Sequence, residues 1–223
     1  MDAARFAAEL PGLWEDFPGS PAPKGPRFDD VIDRIPNLAE ENVLALLNLA
    51  ASLLAPGESY VEVGSFYGAS LIGAMRGNPG DFVAIDRFSF DVAEVRGRKL
   101  PRASRPLLEE SLQQFGEERA TILEGDAFEL VEGGALGDRR VGVWYYDGPH
   151  DYASQLRGLR MVEPWLADEA LLIVDDYDWD EVRKGTAEYL AGQPHAELLV
   201  EIAGEEGSQP WWWDGVAVLG WRA

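Results

Sequence analysis

Short apolar runs, most of them closed by an acidic residue, alternate along the chain with longer stretches whose apolar positions recur at helical spacing. The run Tyr60-Val61-Glu62-Val63 leads straight into Gly64-Ser65-Phe66-Tyr67-Gly68-Ala69-Ser70. This reads as a strand, a glycine turn and a helix that opens near Gly68 and continues to about Met75. Upstream, Val43, Leu46, Leu47, Ala50, Leu53 and Leu54 share one face of a helix over Leu38–Leu54, which Pro56 and Gly57 stop. Further strands are predicted over Phe82–Ile85, Thr121–Ala127, Val141–Tyr146 and Leu171–Val174. Between them lie a helix carrying Leu108, Leu112 and Phe115, a helix turning Gln155, Leu159, Val162 and Leu166 inward, and, after the last, a helix over Glu181–Leu190. Two closing strands, Glu197–Ala203 and Val216–Trp221, flank a tight Gly204–Gly207 region and the run Trp211-Trp212-Trp213.

Strands and helices that alternate in this way predict a single doubly wound α/β sheet, Rossmann-like and mostly parallel. The closing strand pair adds one antiparallel strand near the C-terminus. Residues 1–36 stand apart, with prolines at Pro11, Pro18, Pro21, Pro23 and Pro26. They read as an irregular arm, either a disordered leader or a lid, ahead of a domain over 37–223.

Composition narrows the partners. A formal charge of −21 repels phosphate backbones, so nucleic acid is not expected to bind. The chain has no cysteine, which excludes disulfides, thiolate nucleophiles and sulfur-bound zinc and fits a cytoplasmic setting. Met1–Arg5 lacks a signal-peptide core, and no apolar run approaches the ~20 residues of a membrane span. A homo-oligomer is left open.

The candidate chemistry lies where the strands end. Glu62, Asp86, Asp126, Asp147, Asp175 and Asp176 all fall at one edge of the predicted sheet, the edge where such sheets bind ligands. Glu62, in a buried strand, needs a cationic or hydrogen-bonding partner. Gly64 allows φ > 0, and Gly68 removes a side chain where a ligand would lie against the backbone. Asp86 stands where α/β nucleotide folds place the acceptor of ribose hydroxyls, or it serves as a capping loop aspartate. Asp147, Asp175 and Asp176 would repel one another unless a hard divalent cation lay between them. The plainer alternative has Asp175-Asp176 cap a helix and Asp147 start a turn. His150 follows Asp147 by three residues, as a general base or as a cap of its own turn. Tyr177 and Trp179 are placed to meet an acceptor, whereas Trp211–Trp213 serve packing or wall a pocket.

The spacing Glu62-x-Gly64-x-x-x-Gly68-x-Ser70 resembles the nucleotide-binding loop of class I S-adenosylmethionine-dependent methyltransferases. Three further motifs, Asp147-Gly148-Pro149-His150-Asp151-Tyr152, Val174-Asp175-Asp176-Tyr177 and Glu181-Val182-Arg183-Lys184-Gly185-Thr186-Ala187, extend the likeness over about Asn37 to Tyr189. Together they resemble the metal-dependent macrocin and aminocoumarin sugar O-methyltransferases and the broader methyltransferase-24 family. The resemblance implies a cofactor, S-adenosylmethionine, held by Glu62, Gly64, Ser65, Gly68, Ser70, Asp86, Asp126 and Ala127, with Asp126 accepting from the adenine amine. It implies Mg²⁺ or Mn²⁺ on Asp147, Asp175 and Asp176, and catalytic roles for Asp147 and His150. The acceptor it implies is a hydroxyl of a small molecule, a sugar or a phenolic natural product. Two departures stand out. Pro149 replaces an acid of the aminocoumarin branch, which leaves His150 as the candidate base, and Asp168-Glu169 replaces a glycine pair. A metal-free N- or carboxyl-methyltransferase and a non-catalytic binder of S-adenosylmethionine are the alternatives.

Overall fold

Tyr60 to Val63 is apolar almost without alternation because both faces of that strand are covered, as in parallel sheets flanked by helices. In the computed structural model, which describes residues 1–25, 27–89, 94–95, 98–204 and 210–223, it lies in the middle of a seven-stranded sheet. Pro26 and residues 205–207, both read above as irregular, fall outside the described residues. The helices in chain order are α1 (Ala3–Glu9), α2 (Asp29–Arg34), α3 (Glu41–Ser52), α4 (Ala69–Met75), α5 (Arg105–Phe115), α6 (Ala127–Glu132), α7 (Tyr152–Arg160) and α8 (Asp180–Gly192). The strands are β1 (Glu58–Val63), β2 (Asp81–Asp86), β3 (Glu94–Val95), β4 (Arg98–Lys99), β5 (Thr121–Glu124), β6 (Arg140–Tyr146), β7 (Leu166–Asp175), β8 (Ala196–Ile202) and β9 (Val216–Arg222). The main sheet runs β5-β2-β1-β6-β7-β9-β8, and β3 and β4 form a separate small pair.

Pairing is parallel from β5 through β7. β9 inserts antiparallel between β7 and β8, so the sheet is mostly parallel with one reversed strand, as expected. The strand period of two sorts the core into two layers. Tyr60, Phe82, Tyr145 and Ile173 face the α3–α4 side, and Val61, Val83, Trp144, Tyr146 and Val174 face the α7–α8 side.

Three boundaries differ from the sequence expectation. β5 stops at Glu124 rather than Ala127, because the Asp126 carboxylate accepts from Phe128 N and Glu129 N and so starts α6. Leu166 opens β7 instead of closing a helix. α7 ends at Arg160, and a single 3₁₀ turn over Glu163–Trp165 leads into a strand whose first half is polar, with Glu169 opposite Arg222. The N-terminal segment carries α1, a 3₁₀ turn at Leu10–Leu13 and α2, none of which its prolines suggested.

That segment supplies Phe6, Leu10, Trp14 and Phe28 to the α3–α4 core layer, all buried. Trp14 stacks against Trp212 with ring centroids 5.1 Å apart, and its Nε1 donates to Asn42 Oδ1 at 2.8 Å. Trp212 Nε1 in turn donates to the Pro18 carbonyl at 2.9 Å. Trp14→Ala should therefore lower unfolding free energy by about 3–5 kcal/mol, the usual loss for a buried large aromatic. Urea denaturation checks this, and a loss below about 1 kcal/mol would mean that the segment is not part of the core.

Candidate active site

The parallel strands bring Glu62, Asp86, Asp126, Asp147, Asp175 and Asp176 to one edge of the sheet. The ladder continues one residue past the strands: Gly64 N donates to Ile85 O at 2.9 Å, Asp147 N to Val63 O at 3.1 Å and Gly125 N to Asp86 O at 3.0 Å. Gly64 holds φ 89°, and a Cβ there would lie 1.9 Å from the Asp147 carbonyl oxygen. Glycine is required at this point both by conformation and by contact. Gly68 also has positive φ, 92°, but the space it clears is filled by α5 and is not open to a ligand: a Cβ at Gly68 would meet Leu108 Cδ1 at 2.5 Å.

Glu62 is fully buried. Tyr60 Oη donates to its Oε2 at 3.0 Å and Ser70 Oγ to its Oε1 at 3.1 Å. Burial drives its pKa up to about 7, against the opposing pull of the Ser65, Tyr60 and Ser70 hydroxyls. Ser65 Oγ lies near without a bond of good geometry; it is buried and has no hydrogen-bond partner among the described residues.

Asp86 clamps the two loops beside it. Its Oδ2 accepts from Phe66 N at 2.7 Å and its Oδ1 from Phe88 N at 2.6 Å. Phe66 and Phe88 both hold φ 49°, a left-handed conformation that costs roughly 1–2 kcal/mol outside glycine. Asp126 caps α6 through Oδ1 and turns Oδ2 toward Arg87, 3.6 Å away. Ala127, half-buried, is the first residue of that helix.

At the ends of β6 and β7, the structure brings together Asp147, His150 and Asp176, which offer ligand atoms within 4.8 Å of one another. His150 Nε2 lies 3.1 Å from Asp176 Oδ2 and 3.5 Å from Asp147 Oδ1. Asp175 is not in that group of three; its Oδ2 accepts from Tyr145 Oη at 2.7 Å. Burial, reinforced by Asp175, raises the Asp147 pKa to about 6. Burial likewise raises Asp175 and Asp176, each with a neighbouring aspartate adding to the rise. For His150 burial pulls downward, but contact with Asp147 and the negative charges of Asp176 and Asp147 outweigh it and the pKa moves upward. Asp176 adopts φ 51°, one more strained residue at this edge. Trp179, 48% exposed, sets its ring against the His150 imidazole with centroids 5.0 Å apart and donates Nε1 to Asp214 Oδ2 at 3.2 Å.

The tyrosines that serve this edge, Tyr60 and Tyr145, were not singled out from the sequence. The available signal was a hydroxyl-bearing aromatic inside an apolar strand, two residues from a strand-end acid in each case.

Residues 61–177 match a sequence family described as a methyltransferase domain, methyltransferase-24. The chain belongs to that family. It is, by that membership, an S-adenosylmethionine-dependent methyltransferase. No curated protein sequence matches it. Among solved structures it is similar to the O-methyltransferase TomG from Streptomyces achromogenes, involved in tomaymycin synthesis and solved with S-adenosylmethionine, with a TM-score of 0.64, 16% identity and 100% of both chains covered. It is similar to an O-methyltransferase from Bacillus cereus in complex with S-adenosylhomocysteine, with a TM-score of 0.60, 12% identity and 100% of both chains covered. It is also similar to CalS11, a TDP-rhamnose 3′-O-methyltransferase of calicheamicin biosynthesis, with a TM-score of 0.56, 20% identity and coverage of 98% of this chain and 93% of that one. These likenesses establish the shared fold of the methyltransferase. No helix among the described residues is long and apolar enough to cross a membrane.

The raised pKa of Glu62 fixes a pH dependence. Its folded value of about 7 lies above the ordinary 4.5, so between these values the native state holds a proton that the unfolded chain has released. Stability from this group is complete below pH 4.5 and is lost as pH rises toward 7. The Glu62→Gln variant should gain on the wild type by up to about 3 kcal/mol between those limits, about 1.4 kcal/mol accompanying each tenfold change in proton affinity. Urea unfolding of both proteins across pH checks it; a gap that is constant or of opposite sign contradicts the assignment.

Proposed function

We propose that this methyltransferase transfers the methyl group of S-adenosylmethionine to a hydroxyl of a small molecule, a sugar or a phenolic natural product, with the help of a divalent cation, Mg²⁺ or Mn²⁺. The observation that carries the reading is the single edge on which the Gly64–Ser70 loop and the Asp147–Asp176 cluster meet, joined through the contact of Gly64 with the Asp147 carbonyl. Bound there, the cofactor supplies an electrophilic methyl group and the cation a Lewis-acid seat that acidifies an acceptor hydroxyl.

The residues fit both. The buried Ser65 hydroxyl, near Glu62 but without a well-formed hydrogen bond among the described residues, is available to a polar group of the cofactor at the loop that Glu62, Gly64, Gly68 and Ser70 shape. Asp86, its carboxylate fixed by two amides, keeps lone pairs for ribose hydroxyls, and Asp126 with Ala127 stands one strand further along for the adenine end. Asp147 and Asp176 would hold the cation, with Asp175 behind them, hydrogen-bonded by Tyr145. Burial and neighbouring aspartates raise all three pKa values, a cost that a cation held among them would relieve. Trp179 offers an aromatic face to an acceptor ring beside His150. TomG, crystallised with S-adenosylmethionine, and CalS11, a sugar O-methyltransferase, support the cofactor and the acceptor class. Residues 37–223 form the catalytic domain in this proposal. Residues 1–36 brace it through Trp14 and Phe28 rather than opening and closing as a lid. A cytoplasmic setting completes the reading.

Calorimetry tests the cofactor assignment. S-adenosylhomocysteine should bind one site per chain, and Asp86→Asn should weaken it about 10-fold or more, as loss of charged hydrogen bonds does. Binding of NAD in place of S-adenosylhomocysteine would overturn the proposal. With labelled S-adenosylmethionine and a panel of sugars and catechols, turnover should stop in chelator and return with Mg²⁺ or Mn²⁺. Turnover indifferent to chelator would favour metal-free N- or carboxyl-methylation instead.

A further inference from the structure

We infer that His150 is a direct ligand of the cation, making the site a mixed nitrogen–oxygen one built from Asp147, His150 and Asp176, and that this site prefers Mn²⁺ and its transition-metal neighbours to Mg²⁺. The inference rests on the reading that a divalent cation binds at this edge.

The geometry is that of adjacent ligands around one ion. An octahedral cation with metal–ligand bonds of about 2.1 Å sets neighbouring donor atoms about 3 Å apart. His150 Nε2 stands 3.1 Å from Asp176 Oδ2 and 3.5 Å from Asp147 Oδ1. Despite those separations, neither contact has hydrogen-bond geometry: Nε2 is buried and has no hydrogen-bond partner among the described residues. A nitrogen paired by charge and distance with two carboxylate oxygens, yet in hydrogen-bond geometry with neither, has the placement of a third donor to an ion shared by all three. Trp179 packs against the imidazole and limits its rotation. The third aspartate is drawn away by Tyr145, which takes its Oδ2. That leaves a nitrogen donor in the group of three where three carboxylates were expected.

Ligand chemistry then sets the preference. Mg²⁺ seeks oxygen donors and gains little from imidazole; Co²⁺ and Ni²⁺ accept nitrogen readily, and Mn²⁺, the weakest binder of the first-row series, still gains more from one imidazole among carboxylates than Mg²⁺ does. A ligating Nε2 also directs its lone pair at the cation, and so it cannot take the proton of the acceptor hydroxyl. The acidity of that hydroxyl then comes from the cation, and His150 acts on the acceptor only through it.

Only two histidines occur in the chain, and His195 lies elsewhere, its Nδ1 2.8 Å from the Arg222 carbonyl and its ring against Trp221. Nitrogen coordination can therefore be assigned by spectroscopy. The full chain, free of any histidine tag and stripped of metal, is loaded with Mn²⁺ and probed by pulsed electron paramagnetic resonance for ¹⁴N coupling. The wild type and His195→Gln should show it, and His150→Gln should not. Titration of the same proteins should find Mn²⁺ affinity reduced about 10-fold or more in His150→Gln, with Mg²⁺ affinity changed less than about 3-fold. If bound Mn²⁺ shows no ¹⁴N coupling in the wild type, yet Asp147→Asn and Asp176→Asn each release it, His150 is not a ligand and the cation reading stands. If neither aspartate variant weakens Mn²⁺ binding, the cation site itself falls, and this inference with it.

Discussion

The carbonyl oxygen of Asp147 occupies the place where a side chain at residue 64 would begin. This one approach of backbone to backbone presses the loop after β1 against the end of β6, and everything proposed for the site depends on it. The loop carries Ser65 and leads into α4, and the strand end carries Asp147 and, three residues on, His150. Ladder bonds from Gly64, Asp147 and Gly125 carry the order of the sheet one residue beyond its strands on both sides of the contact. In the proposed reading, the separation between a methyl donor on the loop and an acceptor over the cluster would thus be set by main chain. Side chains can vary the partners without changing that distance, which is what a reaction sensitive to about 1 Å of misplacement needs.

Such an edge is electrostatically expensive. Glu62, Asp147, Asp175 and Asp176 all have their pKa pushed upward by burial, and three of them are neighbours in space. The fold offsets part of this with hydroxyls placed from within the strands, Tyr60 to Glu62 and Tyr145 to Asp175. Among the described residues no lysine or arginine pairs with these four acids; Arg87, at the same edge, faces Asp126. The cation proposed above would complete the balance at the Asp147–Asp176 end. Left-handed non-glycine residues at Phe66, Phe88 and Asp176 mark the same edge, so strain and charge are concentrated together.

How much of this could be read from the sequence follows from the kind of contact involved. β1, β2 and β6 are covered on both faces, so they appear as apolar runs, and the acids that close them are visible by position alone. The start of β7 was hidden because Asp168 and Glu169 pair with Arg140 and Arg222 at the sheet's exposed end. α6 was hidden because its cap, Asp126, ends one element and begins another. The N-terminal segment was read as an arm because its prolines are local, whereas what anchors it, Trp14 on Trp212, joins residues nearly a whole chain apart. In the site, positions were legible and pairings were not. Tyr145 and Asp175 are thirty residues apart, and no spacing rule announces that one will take the other's oxygen.

The central claim is that the cofactor loop and a cation site share this edge. A crystal of the untagged protein with S-adenosylhomocysteine and Mn²⁺, measured at the manganese absorption edge, tests it directly. The account predicts one strong anomalous peak enclosed by Asp147, His150 and Asp176, with S-adenosylhomocysteine lying along the Gly64–Ser70 loop toward Asp86. A cofactor bound away from that loop, or manganese found only on exposed surface carboxylates, would contradict it.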